Sequence, residues 1–313
     1  MKTHAIGKTD LRIPPIAFGG NVFGWTVNEK QSFKILDEIY EMGFNYIDTA
    51  DVYSRWVDGN RGGESERIIG KWLKETGLRD RVIIATKVGM DVGQGHISLD
   101  PEHVNRQVEQ SLKNLQTDYI DIYFSHRHDK NTPIEVVMSN YEKLIKEGKV
   151  RHLGASSFPF EAFKRSQEFA SENALHRYEI YQPEYSLINR NAFESEYQAH
   201  VQENNIAVTN YWALANGFLT GKYQSIEDIE KSARSSNLKK YWNDKGRAIL
   251  EALQQISDDV NISQAGVTLA WTMAQPGITA PIVSATKKLQ LQAFKEAINT
   301  ELSDDQLRRL TFE

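Results

Sequence analysis

Short apolar runs alternate along the chain with longer stretches in which apolar residues recur every three or four positions. Eight runs have the length and character of buried strands: residues 15–18, 44–48, 82–87, 119–124, 152–155, 179–182, 207–211 and 280–283. Helical periodicity lies between them, over residues 30–41, 65–75, 101–114, 134–146, 192–203 and 265–274. Strands that alternate with amphipathic helices are typical of a parallel sheet covered by helices. The pattern therefore predicts an α/β fold of the (β/α)8, or TIM-barrel, type.

The chain before the first strand predicts a short β-hairpin. Residues 4–13 are polar and centred on Lys8-Thr9-Asp10, which favours a turn, and such a hairpin can close the bottom of the barrel. No sequence repeat or low-complexity linker divides residues 1–313, so one barrel domain is expected. The longest connection, residues 220–261, contains a charged stretch at 225–240. We interpret that stretch as an exposed helix, with a mobile cover as the alternative.

Two competing architectures are less consistent with the sequence. An open doubly wound sheet usually carries a G-x-G-x-x-G turn, and the glycine-rich run GGNVFG at residues 19–24 has the wrong spacing. Residues 262–286 contain no charged side chain and are long enough to span a bilayer. Pro276-Gly277 interrupts this run, however, so it is expected to form a buried helix, a turn and a buried strand.

Composition and charge narrow the range of functions. The net charge is −5, so the chain offers no electrostatic attraction for nucleic acid or an anionic membrane, and neither is expected as a partner. It has no cysteine, which excludes disulfides, zinc–thiolate sites, iron–sulfur clusters and thiol nucleophiles. The first ten residues are polar and contain no secretory signal, so a cytoplasmic location is expected.

Four polar side chains follow the ends of three successive predicted strands. They are Asp48 at the end of the second strand and Tyr53 in the loop after it, Lys87 at the end of the third strand and His126 after the fourth. Barrel enzymes carry their chemistry at this end of the strands, so we expect the four side chains to converge. A free tyrosine has a pKa of about 10, and a neighbouring ammonium is expected to lower it. Tyr53 is thus the candidate general acid for carbonyl reduction, with Asp48 holding Lys87 and His126 orienting the substrate oxygen.

The segments around these residues resemble the signatures of the aldo-keto reductases. The run FNYIDTADVY at residues 44–53 is similar to the segment that carries the aspartate and tyrosine of that family's catalytic tetrad. ATK at 85–87 matches the tetrad lysine, and TDYIDIY at 117–123, followed by His126, matches the tetrad histidine. GASSF at 154–158 and GFLTGKY at 217–223 follow in the family's order, and the resemblance covers nearly the whole chain.

The resemblance implies a nicotinamide cofactor, usually NADP(H), that lies extended across the barrel mouth. Side chains at 156–211 are implied to bind the nicotinamide, those at 214–222 to border the pyrophosphate and those at 284–290 to lie near the adenosine phosphate. The positions implied to contact the cofactor are Gly20, Asn21, Ser156, Ser157, Gln182, Tyr211, Leu214, Gly217, Leu219, Lys222, Ser284, Thr286, Lys287, Lys288 and Gln290.

Several residues depart from the family's common pattern. Ser157 stands where asparagine is common, and Trp212-Ala213 stands where Ser-Pro is usual. Gln290 replaces an arginine that often grips the adenosine 2′-phosphate. Preference for NADP(H) over NAD(H) therefore depends on Lys287 and Lys288, and we expect it to be roughly ten- to a hundredfold in affinity, with NAD(H) still usable.

The loops nearest the tetrad predict a substrate pocket for a small, partly polar carbonyl or alcohol, possibly sugar-like. Its expected walls are Trp25, Trp56, Met90, Phe124, Phe158, Arg127 and His128.

Two other functions remain open from the sequence. Potassium-channel β subunits resemble this chain in fold and tetrad, so a cofactor-binding regulatory role is the main alternative. His126 and His128 could instead bind zinc in a barrel hydrolase, but the further histidines His152 and His176 lie at the wrong ends of their strands. No metal site is therefore expected.

Overall fold

A computed structural model describes residues 3–232 and 234–311, and its centre is an eight-stranded parallel sheet. All eight strands that the apolar runs predict are present, which confirms the (β/α)8 fold, although several are shorter than their runs. The strands are the hairpin pair β1 (His4–Ala5) and β2 (Arg12–Ile13), and the sheet strands β3 (Ala17–Gly19), β4 (Tyr46–Asp48), β5 (Ile83–Val88), β6 (Ile120–Ser125), β7 (Val150–Ser156), β8 (Tyr178–Gln182), β9 (Ala207–Val208) and β10 (Ile282–Val283).

Helices follow the strands and pack outside the sheet, and the polar residues at their ends explain where several begin and end. In α3, Asp100 accepts a hydrogen bond from the Glu102 amide, and Pro101 occupies the first turn, where its missing N–H costs nothing. The helices are α1 (Glu29–Glu41), α2 (Glu64–Thr76), α3 (Pro101–Leu115), α4 (Ile134–Lys146), α5 (Phe160–Glu172), α6 (Gln198–Glu203), α7 (Ile226–Glu230), α8 (Ser235–Leu238), α9 (Asp244–Val260), α10 (Gln264–Met273), α11 (Gln292–Ile298) and α12 (Asp304–Thr311).

The sheet closes on itself between its two outermost strands. Seven parallel pairings join the strands in the order β10-β3-β4-β5-β6-β7-β8-β9. Across the remaining gap, the Val208 carbonyl accepts hydrogen bonds from the Thr279 and Ala280 amides, and the Asn210 carbonyl accepts one from Ile282. Closure brings the carboxyl ends of all eight strands into one ring, and this ring is what gathers the site residues.

The N-terminal hairpin covers the opposite end of the barrel, as predicted. Ile6 and Ile13 are fully buried and pack with the side chains that fill the inside of the barrel, among them Tyr46 and Ile180. The backbone oxygen of Gly7 accepts a hydrogen bond from the Asn205 side chain. The bottom of the barrel is therefore filled by apolar side chains, and the mouth is left for binding.

The charged stretch after β9 does not form the exposed helix that we favoured. Residues 225–232 and 234–241, which we call the cover segment, contain the short helices α7 and α8, and they bury Ile229, Leu238 and Tyr241. Three polar residues of the segment, Ser232, Arg234 and Asn237, line the cavity at the barrel mouth. The apolar side chains of the segment therefore pack against the rest of the protein and hold the segment over the mouth.

The uncharged run at 262–286 forms α10, a turn at Pro276-Gly277 and β10, as expected. Gly277 adopts a positive φ of 84°, which suits glycine at this turn. Among the described residues, the helices include none with the length and apolar character needed to cross a membrane.

Candidate active site

A cavity of about 1260 Å³ opens at the carboxyl ends of the strands. Its size exceeds the usual range for a drug-sized ligand, so it has room for a dinucleotide together with a small substrate. Most of the predicted site residues border it: Asn21, Trp25, Asp48, Tyr53, Trp56, His126, Arg127, Ser156, Ser157, Gln182, Tyr211, Leu214, Gly217, Lys222, Ser284, Thr286, Lys287 and Gln290.

Lys87 lies beneath the cavity floor and joins the candidate catalytic residues. It is fully buried on β5, next to the strand that ends in Asp48. Its ammonium donates hydrogen bonds to Asp48 Oδ1 at 2.5 Å, to the Thr49 backbone oxygen at 2.8 Å and to the Tyr53 hydroxyl oxygen at 2.9 Å. All three of its N–H groups are thus occupied, which offsets the cost of burying the charge.

The electrostatics of this group keep Tyr53 protonated. Burial raises the pKa of Tyr53 to about 12, because it disfavours the phenolate more than the Lys87 ammonium stabilises it. The lowering that was expected from Lys87 is present, but burial, which the sequence does not reveal, outweighs it. Burial by itself would lower the pKa of Lys87, yet Asp48 and Tyr53 hold that pKa above its usual value. A neutral phenol therefore faces the cavity with a fixed ammonium behind it.

His126 stands beside Tyr53 as a neutral imidazole. The centres of the two rings are 6.0 Å apart, and the His126 amide donates to the Val88 oxygen at 2.8 Å. Burial, together with the nearby Lys87 and Arg127 charges, holds the pKa of His126 well below 6.5. Its Nδ1 atom is buried without a partner among the described residues, so a proton there would go unsatisfied. The tautomer with the proton on Nε2 is favoured, and that N–H can donate to an oxygen in the cavity.

Hydrogen bonds tie the residues expected near the nicotinamide into one network. Gln182 donates from Nε2 to Asp48 Oδ2 at 3.0 Å, and the Ser156 hydroxyl donates to the Gln182 backbone oxygen at 3.0 Å. Ser157 and Tyr211 share a hydrogen bond of 3.0 Å between their hydroxyls. The ends of β7, β8 and β9 are thus held in fixed positions around the catalytic group.

Asn216 and Arg234 line the cavity, although the sequence did not indicate either of them. Asn216 is buried, its Nδ2 has no partner among the described residues, and its φ of 59° places the backbone in the left-handed region. Arg234 of the cover segment places its guanidinium 5.3 Å from the centre of the Trp25 ring and forms no ion pair within the described part of the chain. Arg234 could not be singled out beforehand, because it is one of several charged residues in its segment.

The two lysines expected at the adenosine end of the cavity have different surroundings. Gln290 Oε1 accepts hydrogen bonds from the backbone amides of Thr286 and Lys287, which shapes the turn after β10. Lys287 lines the cavity. Lys288 does not line it, because its ammonium pairs with Glu38 on α1.

Six further predicted positions lie outside the cavity wall, and each has a packing reason. Phe124 is fully buried inside the barrel, where Gly154 on the next strand leaves room for its ring. Leu219 is fully buried in the core. The ring of His128 packs 5.2 Å from that of Phe158, which is itself buried. Gly20 lies against α2, and the Met90 loop is tied back by a hydrogen bond from Gln94.

The histidines that suggested a metal site remain without further ligands. Among residues 3–232 and 234–311 there is no group of three histidine, cysteine, aspartate or glutamate side chains that could hold a metal ion. His152 and His176 instead bind carboxylates far from the mouth, namely Glu179 and Glu142.

Comparison with known proteins agrees with this geometry. The family model described as "Aldo/keto reductase family" matches residues 15–311. The chain is 31% identical to the oxidoreductase YrpG of Bacillus subtilis (strain 168) over 99% of this chain and 95% of that protein. It is 28% identical to a probable voltage-gated potassium channel subunit beta of Arabidopsis thaliana, over 96% and 92% of the two chains.

A third relative has a cofactor in its name. The aldo-keto reductase yakc of Schizosaccharomyces pombe (strain 972 / ATCC 24843), whose name includes NADP(+), is 27% identical over 95% of this chain and 87% of its own. A match over nearly the whole chain, together with a buried lysine that joins an aspartate and a tyrosine at the barrel mouth, decides the classification. The chain belongs to the aldo/keto reductase family.

Proposed function

We propose that the protein is an NADP(H)-dependent oxidoreductase that interconverts a small aldehyde or ketone and its alcohol. The observation that carries the proposal is the contact of 2.9 Å between the Lys87 ammonium and the Tyr53 hydroxyl. A protonated phenol at the wall of a large cavity, backed by a fixed positive charge, is suited to give a proton to a carbonyl oxygen.

Each of the four candidate catalytic residues has a separate role in the reduction. Reduced nicotinamide, when bound, supplies the hydride. Tyr53 donates its phenolic proton to the carbonyl oxygen, and Lys87 stabilises the phenolate that remains. Asp48 keeps the ammonium in place through its hydrogen bond of 2.5 Å. His126 donates from Nε2 to the same substrate oxygen and so fixes the orientation of the carbonyl.

The residues at the mouth fit a dinucleotide. Asn216, whose Nδ2 has no partner within residues 3–232 and 234–311, and the cations Lys222 and Arg234 line the cavity, and phosphate oxygens would satisfy all three. Ser156, Gln182 and Tyr211 would hold the nicotinamide, as the resemblance implies. We infer a preference for NADP(H) because Lys287 lines the adenosine end, and NAD(H) stays usable because Gln290 supplies no charge.

Turnover by purified wild type and Tyr53→Phe tests the proposal. With NADPH and a panel of aldehydes, ketones and sugars, we expect Tyr53→Phe to lower kcat by roughly 10²-fold or more, as loss of a positioned general acid does. Its NADPH affinity should stay within about twofold of wild type, because no cofactor contact is removed. Equal turnover by the two proteins would contradict the assignment of Tyr53.

The same measurements address the regulatory alternative, which the channel-subunit relative keeps open. Tight NADPH binding by the wild type without turnover of any carbonyl in the panel would favour a cofactor-binding subunit over an enzyme. Multiple turnovers would favour the enzyme.

A further inference from the structure

Two buried carboxyl groups, those of Asp51 and Glu66, lie outside the cavity wall and have no role in the proposed reaction. Asp51 is 5% exposed and lies on the loop between β4 and α2, with Asp48 before it and Tyr53 after it. Glu66, in the first turn of α2, is fully buried. The two groups act on each other electrostatically. Burying two acids together is costly unless each is satisfied or loses its charge.

Glu66 is the member of the pair that is better placed to carry the negative charge. Its Oε1 accepts a hydrogen bond of 2.6 Å from the Thr86 hydroxyl on β5, and its Oε2 accepts one of 2.9 Å from Asn114 Nδ2 on α3. Burial raises the pKa of Glu66, but these two donors, together with Ser111 and Arg67, act against that rise. Hydrogen bonds donated to both carboxylate oxygens favour the charged form.

Asp51 lacks such donors. Neither of its carboxyl oxygens has a hydrogen-bond partner in the described part of the chain, and the Val52 backbone acts on the group without meeting hydrogen-bond geometry. Burial, followed by repulsion from Glu66, holds the pKa of Asp51 well above its usual range, although Lys87 opposes this in part. Asp51 is therefore the member of the pair that keeps its proton.

Two tyrosines face Asp51 from further elements. Tyr123 on β6 is fully buried, and burial, Tyr141 and the two carboxyl groups hold its pKa well above the usual value. Tyr141 on α4 is also fully buried, and burial, together with Asp51, raises its pKa, although a hydrogen bond with Ser125 opposes the rise. Both tyrosines stay neutral, so Lys87 is the positive charge that acts on Asp51.

Backbone hydrogen bonds link Asp51 to the candidate catalytic group. The Asp51 amide donates to the Lys87 backbone oxygen at 3.2 Å, and the Lys87 ammonium donates to the Thr49 backbone oxygen at 2.8 Å. Further along the same loop, the Tyr53 amide donates to the Ala50 oxygen at 3.2 Å. The loop is therefore attached to Lys87 at two points, and a change in the charge of Asp51 acts on the segment that carries Tyr53.

We propose that Asp51 is a positioning residue, which as an uncharged acid beside Glu66 keeps the loop of Tyr53 against β5 and leaves the field of the Lys87 ammonium to Tyr53. This inference rests on the proposed function, in which Tyr53 gives up a proton. A second carboxylate near Lys87 would disfavour the phenolate that reduction leaves on Tyr53. Loss of the Asp51 proton should therefore slow reduction, although Asp51 touches neither substrate nor cofactor.

Urea denaturation of wild type and Asp51→Asn between about pH 5 and 9 tests the uncharged carboxyl without any substrate. Asparagine has nearly the same shape and cannot ionise. Because the folded-state pKa of Asp51 is raised, the stability that its proton gives is fully present below the unfolded value of about 3.9 and is lost as pH rises through the folded value. We expect the unfolding equilibrium constant of wild type, divided by that of Asp51→Asn, to rise by up to about tenfold per pH unit until the folded value is reached.

Asp58→Asn is the matched control for this measurement. Asp58 is an exposed aspartate of the same loop, and it does not line the cavity. The ratio of unfolding constants for wild type and Asp58→Asn should not change with pH. A ratio for Asp51→Asn that is equally independent of pH would overturn the proposal, because Asp51 would then be charged in the folded protein as it is in the unfolded one.

Steady-state reduction with saturating NADPH, using the carbonyl of the panel that wild type reduces fastest, tests the positioning role. Asp51→Ala should lower kcat by about three- to tenfold and keep the Kd for NADPH within about twofold, and Asp51→Asn should restore most of the loss. The kcat of wild type should fall over the pH range in which the stability ratio levels off, and that of Asp51→Asn should not. Equal losses in the two variants, or the same fall in wild type and Asp51→Asn, would overturn the proposal.

The two measurements distinguish a failure of this proposal from a failure of the proposed function. Turnover by wild type together with a stability ratio independent of pH would refute the uncharged Asp51 and leave the proposed function intact. No turnover of any carbonyl would count against the proposed function, and the stability ratio would still support or refute the proton on Asp51.

Discussion

Lys287 and Lys288 are neighbours in the chain, yet they have different surroundings. Lys287 lines the cavity, whereas Lys288 pairs with Glu38 on α1. An exposed ammonium near a 2′-phosphate contributes through charge attraction, and one that is already paired contributes less. Cofactor selectivity should therefore depend mainly on Lys287 and should lie near the lower end of the range expected from both lysines.

Fluorescence titration of NADPH and NADH to Lys287→Ala and Lys288→Ala measures this difference. We expect wild type to prefer NADPH by roughly tenfold, or about 1.4 kcal/mol. Lys287→Ala should lose most of that preference, and Lys288→Ala, the matched control, should keep it. Equal effects of the two substitutions would show that the ion pair with Glu38 opens when cofactor binds.

At the residue scale, the sequence predicts which residues carry the chemistry better than it predicts where each side chain points. Asp48, Tyr53, Lys87 and His126 were identified because strand ends must meet in a closed barrel, and they do come together. The inward position of Phe124 could not be separated from a pocket position, because it lies one residue before the end of β6. The pairing of Lys288 depends on a helix more than 200 residues earlier in the chain, which no local pattern reveals.

The bottom hairpin is held to the barrel by a histidine that bridges three elements. His152 on β7 contacts Glu179 on β8 through Nδ1 and Asp10 of the hairpin through Nε2, both at 2.8 Å. Burial alone would lower the pKa of His152, but the two carboxylates outweigh burial and raise that pKa above 6.5. The same contact lowers the pKa of Asp10. The charged histidine thus joins the hairpin to two strands of the sheet.

His152→Gln should therefore change stability in a pH-dependent way. Because the folded-state pKa is raised, the stabilisation is fully present below pH 6.5 and is lost as pH rises through the folded value. Urea denaturation should show wild type more stable than His152→Gln by about 1 kcal/mol at pH 6, since Asp10 is mostly exposed and screened. The difference should shrink towards pH 9. His96→Gln, which removes an exposed histidine whose ring contacts the backbone oxygen of Gln94, is the control; a gap independent of pH would contradict the bridge.

At the element scale, periodicity identified every strand of the barrel but not how the long connections fold. The helix predicted at 192–203 is present, but Phe193–Tyr197 winds as a π-helix before α6, a local change that apolar spacing does not encode. The cover segment was taken for an exposed helix because its charges dominate the pattern. Its few apolar residues, such as Ile229 and Leu238, are the ones that attach it to the rest of the protein.

In the whole molecule, the residues that stabilise the fold and those expected to bind ligands lie at opposite ends of the barrel axis. Apolar side chains and the hairpin fill the bottom, whereas the mouth carries the candidate catalytic group, the cavity and the cover segment. At the mouth, Asn216 Nδ2 is buried and has no hydrogen-bond partner in the described part of the chain, which raises the energy of the free protein there. A ligand that satisfies it should therefore stabilise the mouth more than the bottom.

Hydrogen exchange with and without NADPH tests this division over the whole chain. At a cofactor concentration of about 100 times Kd, binding should add about 2.7 kcal/mol to the free energy of unfolding. During the first minutes of labelling, when local opening dominates exchange, we expect the cover segment to exchange at least threefold more slowly with NADPH, since Ser232, Arg234 and Asn237 line the cavity. Residues 4–13 at the far end should exchange as before and serve as the internal control. Equal protection at both ends, or none in the cover segment, would mean that this segment does not contact the cofactor and that its packing over the mouth is purely structural.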